Sequence, residues 1–137
     1  MTATTNSRAL GSVKGSDAML RLALRVDAVL VFLTGIAVLA AADRLSELTG
    51  LSRPIEYGFA AFSIVYGVVV LALAGIDRMR PAGVGAAIAN AVCTVIAVTA
   101  AVMLPLTGIG VAFVVAIGLY TAVMAEWQFI GVRRIAS

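Results

Sequence analysis

From Ala82 to Ala125 the chain carries no charged side chain, and only Pro105, Leu106 and Thr107 interrupt the apolar run. One crossing of a bilayer core needs roughly 20 apolar residues. The run therefore reads as two crossings joined by a tight turn. Upstream, Ala28 to Ala42 is fully apolar but short for a span, so the first crossing takes in Leu20 to Asp27 as well. Arg21 and Arg25 can reach the headgroups from there by extending their side chains. A further apolar run lies between Ile55 and Ile76. The pattern predicts an all-α integral membrane four-helix bundle with spans at 18–42, 55–76, 82–104 and 108–130.

The polar stretches define the connections. Residues 1–15 are small and polar and predict a disordered cytoplasmic tail ahead of a membrane domain over 16–137. Ser16 and Asp17 read as a helix cap. Between Asp43 and Tyr57, Leu45, Leu48 and Leu51 recur every three residues among charged neighbours, which predicts a short amphipathic turn on the membrane surface, ended by Gly50. Ser52 and Pro54 start the next helix. A signal peptide cleaved near Ala40-Ala41-Ala42 is the rival reading of the first span. The long preceding region, with Asp17 and Asp27 in it, speaks against that.

Composition narrows the function classes. The chain is 62% hydrophobic and 12% charged, with mean hydropathy +1.08. Soluble domains carry about 25% charged residues. There is no histidine, which excludes His-ligated haem, His-bearing zinc and a Ser-His-Asp triad. The lone Cys93 permits no intrachain disulfide. No metal-ligand spacing, phosphate-binding glycine loop or nucleophile constellation is present, so no metal or cofactor is expected. The net charge of +3 sits on arginines at helix ends and points to lipid headgroups, not nucleic acid. The basic residues cluster on the N-terminal side (Arg8, Lys14, Arg21 and Arg25), at Arg78 and Arg80, and at Arg133 and Arg134. The positive-inside rule then places both termini in the cytoplasm and the chain in the cell's inner (plasma) membrane. Tyr57 and Trp127 fall near opposite interfaces, as aromatic anchors do.

Small residues mark the expected packing faces. In the third span Gly83, Ala86, Ala87, Asn90, Thr94, Ala97 and Ala101 share a side, opposite Ile88, Val92, Val95 and Val102. In the fourth, Ala112, Val115, Gly118, Ala122 and Glu126 form a stripe. These two helices should pack small face to small face, through Gly83, Ala97, Gly118 and Ala122.

Acids within membrane helices are functional candidates by default. Asp27 and Glu126 qualify, and both are expected near the cytoplasmic third. They either pair with Arg21, Arg25, Arg78, Arg80 or Arg133 at the interface, or converge with Asn90 on a polar pocket open to the cytoplasm. Tyr66 and Tyr120 fall near mid-membrane and complete the set of pocket or ligand-binding candidates; no catalytic residue is assigned. Interhelical hydrogen bonding is the alternative role for Asn90, and core packing for the tyrosines.

The stretches LRLALRVDAVLVFLTG and ADRLSELTGLSRP, Asn90, and AEWQ near the end of the fourth helix resemble DoxX-like small four-helix bacterial, chiefly actinobacterial, membrane proteins, over about Leu20 to Arg134. The resemblance implies a membrane protein and no particular activity. Three functional expectations stand. The first is a structural or accessory role in a homo-oligomer or larger membrane complex, without catalysis. The second is a small transporter or channel using Asp27 and Glu126. The third is a lipid- or quinone-binding membrane enzyme.

Overall fold

The computed structural model describes residues 2–136, with side-chain surroundings from Asp17 to Ile135. The expected disordered tail over 1–15 falls outside the residues whose side chains are described. All regular structure among the described residues is helical: α1 (Thr2–Thr49), α2 (Arg53–Leu73), α3 (Met79–Met103) and α4 (Gly108–Ala136). Each includes a segment long and apolar enough to cross a membrane; in α1 this is Asp17–Thr49 and in α4 Gly108–Ile135.

The expected surface turn after Ala42 is instead the continuation of α1 to Thr49. Residues 43–49 contain no glycine or proline, so nothing breaks the helix before Gly50. Gly50 then adopts φ +82° and ends it. The other spans shift by a few residues at their ends, as helix boundaries commonly do.

The four helices form two antiparallel hairpins, α1–α2 and α3–α4. The hairpins join mainly where α1 lies along α4, whereas α2 and α3 barely meet. Small residues set the close contacts. A Cβ on Gly67 would lie 2.8 Å from the Ala28 carbonyl oxygen and 2.7 Å from Phe32 Cβ; one on Gly35 would lie 2.9 Å from the Ala60 carbonyl. In lipid, where hydrocarbon gains nothing from leaving its surroundings, such backbone proximity drives association. Gly118 and Ala97 meet similarly between α4 and α3, with a Gly118 Cβ reaching 3.3 Å from that of Ala97. The expected lipid face of α3 is exposed at Ile88, Val92, Val95 and Val102.

The half of the bundle that holds the α2–α3 connection and the end of α4 is filled. Leu20, Leu24, Ala28, Val70, Met79, Ala86 and Val132 form its core. Arg21 fastens this end by donating to the Ala74 carbonyl at 2.8 Å, beside its pair with Asp17 at 3.5 Å. The opposite end is clasped by backbone. Thr107 donates from its amide to Thr49 O (3.1 Å) and from its hydroxyl to Leu48 O (2.6 Å). The same hydroxyl caps α4 by accepting from Gly110 N at 3.0 Å. Between the filled end and the clasp the bundle is hollow.

We predict that Gly67→Val lowers stability by roughly 1–3 kcal/mol, the usual cost of forced overpacking. Gly58→Ala should be neutral or slightly stabilising, since a Cβ there meets nothing within 4 Å. Unfolding in detergent with increasing denaturant measures both.

Candidate functional site

The centre of the site is Asp27, fully buried on α1. Its neighbours three and four positions along the helix include no arginine, so no local charge satisfies it. Its partners come instead from the other three helices. Oδ2 accepts from the Tyr66 hydroxyl (2.7 Å), Asn90 Nδ2 (2.9 Å) and Gln128 Nε2 (2.8 Å). Oδ1 accepts from the Tyr120 hydroxyl at 2.8 Å. All four contacts are donors to the carboxyl group. One polar residue of α1 thus gathers α2, α3 and α4.

The amide of Asn90 lies at the crossing point. Its nitrogen is also within bonding distance of Tyr66 Oη (3.0 Å), Gln128 Oε1 (3.0 Å) and the Ala86 carbonyl (3.2 Å). An amide has two N–H hydrogens, so these acceptors share them. One turn further along, the Thr94 and Thr121 hydroxyls lie 2.7 Å apart and join α3 to α4. Buried polar groups cost heavily when left unmet and hold their partners firmly when satisfied.

A cavity of about 640 Å³ starts at this cluster and runs toward the clasp, lying between α1–α2 on one side and α3–α4 on the other. Tyr66, Asn90 and Tyr120 form its inner limit, while Asp27 sits behind them and does not line it. Its walls are mostly apolar and include Phe59, Phe62, Ile96, Phe113 and Ile117, with Thr34, Glu56, Ser63 and Thr121 as polar members. Phe62 and Ile96 are also strongly exposed, so the cavity reaches the lipid-facing surface where α2 and α3 part. Volumes of 300–1,000 Å³ are usual for small-molecule sites.

The structure therefore brings Asp27, Tyr66, Asn90 and Tyr120 together, and it does not bring Glu126 to them. Glu126 is exposed. Gln128 occupies the place expected for it. The error lies in the stripe on α4. Steps of four from Gly118 through Ala122 to Glu126 drift by about 40° each on a helix of 3.6 residues per turn. The buried stripe instead mixes steps of three and four through Val114, Gly118, Thr121, Met124 and Gln128. Ala112 and Val115 are accordingly exposed, and Ala122 is half-buried. Gly83, Ala97 and Gly118 are buried at helix contacts as expected, but Gly83 meets Leu20 and Val132, not α4 alone. The expected pairing of Asp27 with an arginine is replaced by the four hydrogen bonds. The pocket, expected to open toward the cytoplasm, lies on the clasp side of Asp27.

Sequence reasoning also missed Glu56, which opens the expected 55–76 span but reads with the loop charges before it; it is fully buried in the first turn of α2. Its signal was present: Glu56, Phe59, Ser63 and Tyr66 recur at steps of three, four and three, one face of a helix. Gln128 gave a weaker signal, as one uncharged polar residue among the last turns.

Among the described residues no three His, Cys, Asp or Glu side chains gather to hold a metal. Comparison of the chain with protein-family models, with curated proteins and with solved structures finds no match.

We predict that Tyr120→Phe, which removes one hydrogen bond, costs roughly 1–3 kcal/mol. Asp27→Ala leaves donors on three helices unmet and should cost more, roughly 3–5 kcal/mol by analogy with a broken buried pair. Thermal unfolding in micelles ranks the two; equal losses would show that the cluster is not centred on Asp27.

Proposed function

We propose that this protein binds a lipophilic molecule drawn from the bilayer, held between its two hairpins. The observation that supports this reading is the cavity itself: mostly apolar along its walls, polar at the Tyr66–Asn90–Tyr120 end and at Glu56, and reaching the exposed apolar surface at Phe62 and Ile96. An apolar body would lie along the aromatic walls, between the tyrosine oxygens at one end and the polar group of the wall at the other. Those hydroxyls are held in place by Asp27, so the polar end is organised before a ligand arrives.

The wider frame belongs to the same proposal. Arginines at the α2–α3 turn and in the last turn of α4 support, by the positive-inside rule, a cytoplasmic position for that end, with the clasp on the far side of the plasma membrane. Kinship with DoxX-like proteins rests on the sequence stretches alone. A purely structural or accessory role drew on the many small residues, but Gly35, Gly67, Gly83 and Gly118 are taken up by contacts within the chain. A transporter built on Asp27 and Glu126 lacks its second acid, because Glu126 is exposed.

Blocking the cavity tests the reading. Ala116 lines it and is exposed, so Ala116→Phe should fill the space without disturbing a buried contact. Val123 is 61% exposed and does not line the cavity, so Val123→Phe serves as the control. Lipid extracted from the purified protein and identified by mass spectrometry should show a species retained by wild type and Val123→Phe and lost from Ala116→Phe. Identical lipid content in all three would sink the proposal.

A further inference from the structure

The far end of the cavity carries a second carboxyl group. Glu56 lines the wall there, and it is fully buried. Its Oε1 accepts from the Thr49 hydroxyl at 3.0 Å. Its Oε2 is buried and has no hydrogen-bond partner among the described residues. Thr49 cannot supply more, because its single hydroxyl hydrogen is also within reach of the Leu45 carbonyl at 2.8 Å. The two nearest basic side chains in sequence do not help: Arg53 pairs with Asp43 at 3.3 Å and Arg44 with Glu47 at 4.0 Å. A buried oxygen left in this state costs free energy that a suitable ligand would recover.

The helix sets the distance between the two polar ends. Glu56 and Tyr66 lie ten residues apart on one face of α2, about 15 Å at 1.5 Å per residue. The wall between them is apolar except for Ser63 and Thr34. The terminal torsion of a glutamate is broad, so the carboxyl group can turn toward an incoming donor.

We infer that Glu56 is the headgroup-recognition residue of the cavity, and that the ligand is a single-chain amphiphile whose head donates a hydrogen bond, a hydroxyl or an ammonium, to the free carboxyl oxygen. The chain lies along Phe59 and Phe62 toward Tyr66. This rests on the reading of the cavity as a lipophile site. It goes further by assigning the ligand's polarity, its direction in the cavity, and the residue that selects it. An anionic head, as in a fatty acid, would meet the carboxyl oxygen with acceptors only and is excluded by the same chemistry.

The test is displacement of a fluorescent apolar probe, diphenylhexatriene, from the full-length protein in nanodiscs. The competitors are dodecane, dodecanol, dodecylammonium and dodecanoate. Each is compared with its own displacement in Ala116→Phe nanodiscs, to subtract binding to the bilayer. In wild type, dodecanol or dodecylammonium should compete at roughly tenfold lower concentration than dodecane, the worth of one good hydrogen bond to a buried carboxyl. Which of the two competes better identifies the head. Glu56→Leu should bring all chains to the dodecane level. Glu56→Gln retains an acceptor and the Thr49 contact; it should keep most of the preference for the alcohol and lose that for the ammonium. Equal competition by dodecane and both donors in wild type, with Ala116→Phe still abolishing displacement, would overturn the role of Glu56 while leaving the lipophile site intact. Displacement unaffected by Ala116→Phe would overturn both.

Discussion

A carboxyl group sealed in a membrane helix is tolerable only if its environment is built for it, and Asp27 dictates much of this bundle. Its four donors come from three helices, and none is an arginine. Each of those helices must present particular residues to it: Tyr66 on α2, Asn90 on α3, Tyr120 and Gln128 on α4. Apolar packing in lipid is nearly indifferent to sliding or rotation, because every face is hydrocarbon. The cluster removes that freedom and fixes register across all four helices. Glycines then decide how near the backbones come. The same constraint explains why the bundle is solid on one side of Asp27 and hollow on the other: aliphatic side chains fill the space beside Leu20 and Leu24, whereas aromatic groups line a gap beyond Tyr66 and Tyr120.

The hollow persists because both its ends are held. Toward the α2–α3 turn lies the polar cluster. At the other end, the corner after α1 and the turn before α4 lock together through Thr107, Leu48 and Thr49. With the ends fixed and α2 and α3 scarcely in contact, the space between the hairpins reaches the exposed apolar surface at Phe62 and Ile96.

The span count, the helical class and the small-residue face of α3 were legible in the sequence because composition and spacing state them directly. Asp27, Asn90, Tyr66 and Tyr120 were also legible as polar residues at membrane depth, although their mutual bonds were not. What failed was rotation and context. Glu126 lies about 80° to one side of Gly118 around α4 and Gln128 about 80° to the other at 3.6 residues per turn, so a stripe that turns the wrong way takes an exposed acid for a buried amide. Glu56 was hidden by its neighbours: with Asp43, Arg44, Glu47 and Arg53 close in sequence, it read as one more loop charge. Only the continuation of α1 to Thr49 turns that segment inward and buries it. Periodicity shows which residues share a face, but which face meets a partner depends on helices far away in the chain.

The most direct measurement is an experimental structure of the protein crystallised from a lipidic mesophase. The account predicts elongated density between α2 and α3, with one end near Glu56 and the other at the Tyr66 and Tyr120 hydroxyls, and Asp27 behind them bonded to all four donors. A bundle in which α2 packs directly on α3, with Phe62 against Ile96 and no space between the hairpins, would contradict it.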